Sequence, residues 1–93
     1  MLTSKRRAEL RAQAHHLQAT VHIGHQGITA ALQQSLDDVL RTTELVKVQF
    51  SKNADVKTKN AATDLAASVQ AEVVQVIGRT ATLYREHREP RED

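Results

Sequence analysis

Apolar residues recur along this chain at two spacings, and each change of spacing marks a new element. Over residues 4–16, Leu10 and Ala14 stand at i and i+4, with Leu17 following at i+7. That is the spacing of one helix face, and Thr3 or Ser4 can cap its start. Residues 20–23 alternate instead, with Val21 and Ile23 on one side and Thr20 and His22 on the other, as in a strand. Residues 29–41 return to helical spacing. Ile28, Leu32, Leu36, Val39 and Leu40 form one continuous stripe there, and Thr29 is placed as the N-cap. Over residues 44–50, Val46, Val48 and Phe50 share one side and Lys47 and Gln49 the other, which predicts a strand with one wet face.

Residues 51–54 make a connection, and Asp55 can cap a third helix over 55–69 whose stripe includes Ala62, Leu65, Ala66 and Val69. Residues 72–77 are rich in β-branched types and predict a third strand. Gly78-Arg79-Thr80 then turns the chain into a short fourth strand, 81–85, paired with the third as a hairpin. The order αβαβαββ describes one α/β domain with a mixed four-stranded sheet packed by helices. Its two strand–helix–strand units give parallel pairing, and the hairpin adds an antiparallel strand. Right-handed crossovers moving in one direction put the second and third helices on the same face of the sheet. The pattern leaves the strand order open.

Composition narrows the class. Ninety-three residues suffice for a single core. The absence of cysteine excludes disulfides and thiolate metal sites. No apolar run approaches the ~18 residues of a membrane span, and the start lacks a signal-like stretch, so a cytoplasmic protein without membrane contact is expected. Residues 86–93 carry four acids and two arginines and no apolar side chain, which predicts a disordered tail after a domain over 1–85. Without that tail the chain holds eleven basic and seven acidic groups, net +4, a balance that suits a polyanionic partner.

The candidate chemistry centres on Gly24-His25-Gln26-Gly27, at the junction of the first strand with the second helix. Two glycines there allow a tight turn and a close approach by another backbone. The free N–H groups and positive dipole end of the following helix suit a phosphate, as in modules that clamp a nucleic-acid backbone. The plainer reading is a turn and nothing more. Lys5, Arg6, Arg7 and Arg11 cover the other faces of the first helix with only Glu9 to offset them, either as RNA contacts or as a solvated face. Lys47, Lys52, Lys57 and Lys59 are weaker candidates of the same kind. His15, His16, His22 and His25 suggest a metal by composition, but no carboxylate sits nearby in sequence to complete a ligand set, so neither metal nor cofactor is expected. Phe50 and Tyr84 are the only aromatics, too few for a base-stacking sheet; Phe50 is assigned to the core and Tyr84 to hairpin packing. There is no Gly-x-Ser-x-Gly, P-loop or His-Glu-x-x-His, and Asp37 and Asp38 point in different directions, so an enzyme is not expected.

Three motifs in order carry a resemblance. Val21-His22-Ile23-Gly24-His25-Gln26-Gly27-Ile28-Thr29, Glu44-Leu45-Val46-Lys47-Val48, and Val74-Gln75-Val76-Ile77-Gly78-Arg79-Thr80-Ala81-Thr82-Leu83-Tyr84-Arg85 are similar to the CRM domain, named for chloroplast RNA splicing and ribosome maturation. The free-standing bacterial YhbY-type members resemble this chain most, and the similarity runs over residues 4 to 85. It implies a fold like the C-terminal domain of translation initiation factor three. It also implies binding to large-subunit ribosomal RNA or its precursor particle. The resemblance implies a backbone clamp at Gly24, His25, Gln26 and Gly27 and a basic turn at Gly78, Arg79 and Thr80, where the family often has lysine in place of Arg79. Thr29, beside the loop, is counted with the RNA-binding residues, and a monomer is expected. Lys5, Arg6, Arg7 and Arg11 extend the footprint on the clamp reading. The alternative is a small α/β protein–protein interaction module without direct RNA contact.

Overall fold

The computed structural model describes residues 2–24, 27–52 and 57–87. Three helices, α1 (Ser4–Ala14), α2 (Ala30–Thr42) and α3 (Thr58–Ser68), alternate with strands β1 (Val21–Ile23), β2 (Leu45–Phe50), β3 (Glu72–Ile77) and β4 (Thr80–Tyr84) in the expected αβαβαββ order. The sheet order is β1-β2-β4-β3. β1 runs parallel to β2, and β4 is antiparallel to both β2 and β3. β2 and β3 are therefore parallel but do not touch: the hairpin folds β4 back between them.

α2 and α3 share one face, as expected. Their stripes, Leu36 and Leu40 from α2 and Ala62, Leu65 and Ala66 from α3, meet Val46, Val48, Phe50, Ala81 and Leu83 in the main core. Full burial of Leu36, Leu40 and Leu65 supplies on the order of 1.5–3 kcal/mol each. α1 lies on the opposite face, where Leu10 and Ala14 cover Leu45, Val74 and Tyr84. The second face of β2 is thus only half wet: Leu45 is under α1, and Gln49 at the far end is exposed.

The element ends have specific causes. Thr3 caps α1 by accepting the Arg6 N–H at 3.0 Å, and Thr29 caps α2 by accepting the Leu32 N–H at 3.1 Å. Lys47 Nζ donates to the Leu17 carbonyl at 3.2 Å, holding the chain that leaves α1. Lys57 stands at the N-cap of α3 without a side-chain cap bond, and Asp55, expected in that role, lies outside the described residues. α3 ends with Gln70 at φ 59°. The Ala71 N–H bonds the Ala66 carbonyl at 2.8 Å and the Gln70 N–H bonds that of Ala67 at 3.3 Å, which together make a Schellman motif.

The chain does not leave the domain at Arg85. Arg85 Nη1 meets Asp37 Oδ1 at 2.7 Å and the Val69 carbonyl at 3.0 Å, tying α2 and the end of α3 to the end of β4. The Arg85 guanidinium, with Arg41 behind it, holds the Asp37 carboxyl below its ordinary value. The His87 N–H donates to Glu44 Oε2 at 2.6 Å, and His87 Nε2 lies 2.7 Å from the Leu40 carbonyl. The expected tail over 86–93 therefore starts with two residues that extend the fold, and 88–93 lie outside the described residues.

Candidate functional site

Sheet topology brings three connections to one end of the molecule. Ile23 pairs with Phe50 in the parallel ladder, so Gly24 and the Ser51-Lys52 segment emerge side by side. Gln49 pairs with Thr80 in the antiparallel ladder, which carries the Gly78-Arg79 turn to the same end. Three backbone hydrogen bonds hold this arrangement. The Gly27 N–H donates to the Gly24 carbonyl at 3.0 Å, the Ser51 N–H to that of Ile23 at 2.8 Å, and the Phe50 N–H to that of Arg79 at 2.7 Å.

A groove of about 780 Å³ opens between the three connections, bordered by Gly24, Gln49, Lys52, Arg79 and Thr80. Among the described residues, no acidic side chain lines it. Lys52 and Arg79 are exposed, and among the described residues neither side chain has an ion-pair partner. Two exposed cations beside one groove concentrate positive potential there. On the other side of the glycine turn, a shallower groove of about 410 Å³ runs along Gly24, Gly27, Thr29 and Ala31 at the start of α2. The Thr29 hydroxyl is spent on the cap, while the first N–H groups of the helix, at Ala30 and Ala31, have no acceptor within it.

The glycines differ in kind. Gly27 (φ 73°) and Gly78 (φ 57°) sit in the left-handed region that an L side chain resists. Gly24 does not, and a Cβ added to it meets nothing within 4 Å. The fold therefore has no need of glycine at position 24. His25 and Gln26, expected at the tip of this loop, lie outside the described residues.

The basic residues of the first helix are placed elsewhere. Arg6 sits 5.4 Å from the Tyr84 ring centroid, contacts the Tyr84 hydroxyl at 3.4 Å and pairs with Glu9 at 3.3 Å. Hydrogen bonds to Tyr84 and then Glu9 raise its guanidinium above the ordinary value. Arg7 Nη1 donates to the Val73 and Val74 carbonyls at 2.6 and 3.0 Å, where the β3–β4 register shifts between Val73 and Gln75. Both arginines thus have structural work, and Lys5 and Arg11 remain exposed. Tyr84 pairs with Leu45, five residues along β2 from Phe50, so the start of α1 lies about 17 Å from the glycine turn. The structure unites Gly24, Gly27, Thr29, Arg79 and Thr80, leaves Lys5, Arg6 and Arg7 at the other end of the sheet, and adds Lys52 and Gln49. The signal for Lys52 was its place directly after a strand parallel to β1.

A family model described as the CRS1 / YhbY (CRM) domain matches residues 2–85. The probable RNA-binding protein YqeI of Bacillus subtilis is 33% identical over 89 residues, covering 96% of this chain and 93% of its own length. A Haemophilus influenzae protein named RNA-binding protein is 33% identical over 85 residues, 90% of this chain and 85% of its own length. The solution structure of the hypothetical protein SAV1595 from Staphylococcus aureus matches with a TM-score of 0.82 at 36% identity, covering 98% of this chain and 95% of that one.

Proposed function

The chain belongs to the CRS1 / YhbY (CRM) domain family, and from that premise we propose that it binds RNA by holding a sugar-phosphate backbone in the groove between Gly24, Lys52 and Arg79. The observation that carries this reading is the convergence on one groove of an unhindered glycine backbone and two cations, with no acid lining the groove and no ion pair to either cation among the described residues. Phosphate oxygens accept from backbone N–H groups and from Lys and Arg, and such contacts position an RNA without reading its sequence. The start of α2 adds its dipole on the other side of the turn. The relatives' names support RNA as the partner. The resemblance to YhbY-type proteins supports large-subunit ribosomal RNA, met in the cytoplasm during assembly of that subunit.

A protein-interaction module of this size would bind its partner through a helix face. The α2 stripe is instead buried at Leu36 and Leu40, which weakens that alternative. Replacing His25 and Gln26 by aspartates tests the proposal, since two negative charges between the glycines repel a phosphate held there. The variant is expected to keep its circular dichroism spectrum and to leave the large-subunit precursor fraction of a sucrose gradient. A folded variant that still sediments with that fraction would rule out the clamp.

A further inference from the structure

The clamp leaves half of one sheet face without a role. α1 covers only the Leu45, Val74 and Tyr84 end of its face. Beyond it, His22, Gln49, Thr80 and Ile77 stand in one row across β1, β2, β4 and β3. Two features of this open half do not suit a merely solvated surface. Ile77 is 63% exposed, the one large apolar side chain so exposed among the described residues. Thr82, one row further in, is 1% exposed, and its hydroxyl has no hydrogen-bond partner among the described residues. A buried hydroxyl left unpaired is costly and rarely tolerated without a use.

Thr82 lines a cavity of about 190 Å³ together with Lys47, Gln75, Ile77, Thr80 and His15, the residue that ends α1. Gln75 is paired directly with Thr82, and Ile77 with Thr80. Thr80 also borders the groove of Gly24, Lys52 and Arg79, so the two depressions adjoin.

We propose that this open half-face is a nucleobase-binding shelf. An unpaired nucleotide with its phosphate in the clamp lays its base against Ile77 and Thr80. The base edge exchanges hydrogen bonds with the Gln75 amide and, once that side chain turns toward it, with the Thr82 hydroxyl. An amide and a hydroxyl each donate and accept, so the pair distinguishes bases by their edge patterns. An aliphatic contact at Ile77 takes the place of stacking on Phe, Tyr or Trp, none of which is exposed on this face among the described residues. The shelf rests on the RNA-clamp reading and adds to it a base preference that phosphate contacts cannot supply.

Labelled single-stranded decamers of A, C and U, followed by fluorescence anisotropy, test it. The parent is expected to prefer one decamer over the others by about two- to tenfold, the worth of a hydrogen bond or two. Gln75→Ala and Ile77→Ser alter exposed or half-exposed side chains and should fold. Each is expected to bring the three affinities to within about twofold while leaving the salt dependence at the parent's value, since no phosphate contact is lost. Thr82→Val, which keeps the shape without the hydroxyl, should reduce the preference in the same way. Arg79→Gln, by contrast, should weaken all three decamers equally and flatten the salt dependence. A parent that binds the three alike, or variants that retain its preference, would overturn the shelf while the clamp stands. A Thr82→Val change confined to the melting temperature would do the same, making the hydroxyl structural. Unaltered binding by Arg79→Gln would instead count against the clamp.

Discussion

Gly24 and Gly27 are the same residue put to two uses. At φ 73° Gly27 serves the backbone, and an L side chain there costs about 1–2 kcal/mol. Gly27→Ala should therefore lose about that much stability in a thermal or denaturant melt. Gly24 has room for a Cβ and lies outside the left-handed region, so Gly24→Ala should melt at or slightly above the parent temperature. On the clamp account it should still weaken RNA binding by on the order of tenfold, because a methyl group holds a phosphate away from the backbone N–H it would accept from. Parent-like affinity in the stable Gly24→Ala variant would take this residue out of the interface. Both glycines, the Thr29 cap and the buried Phe50 were legible in the sequence, since each rests on local chemistry or on strand parity. Arg6 and Arg7 were not. Their charge run reads as a solvated or RNA-facing surface until Tyr84 and the Val73–Gln75 register shift are brought under the helix.

Helix α3 shows what an element conceals when its signals are weak. Its stripe of Ala62, Leu65 and Ala66 predicts the helix, but no glycine marks its end. The chain stops there through Gln70, which takes the left-handed conformation that glycine usually supplies to a Schellman motif. Nothing in the spacing of apolar residues announces this strain. Gln70→Gly should relieve it and raise stability by on the order of 0.5–1 kcal/mol, less whatever the more flexible unfolded chain takes back. A denaturant midpoint that falls would show that Gln70 makes a stabilising contact greater than its backbone strain. The fourth strand starts one residue earlier than the turn signal Gly78-Arg79-Thr80 predicts. The pairing of Thr80 with Gln49 and Ile77 makes it the first residue of β4.

At the scale of the whole molecule, the site is a product of topology. The alternating pattern yielded seven elements in order, two helices on one face and a C-terminal hairpin. It did not yield the insertion of β4 between β2 and β3, because hydrophobic parity is the same for either neighbour. That insertion pairs Thr80 with Gln49 and sets Arg79 directly beside Lys52 and Gly24, and without it Lys52 could not be ranked above the other lysines from sequence. On the clamp proposal, this shared end of the sheet, and not the start of α1, meets RNA phosphates. The most direct test is RNA affinity across a range of salt for Lys52→Gln, Arg79→Gln and the pair Lys5→Gln with Arg11→Gln. Each true phosphate contact removed should lower the magnitude of the log–log salt slope by about 0.7–0.9. That drop is expected for Lys52→Gln and for Arg79→Gln and not for the α1 pair; a drop confined to the α1 pair would put the phosphates at α1 and rule out the clamp.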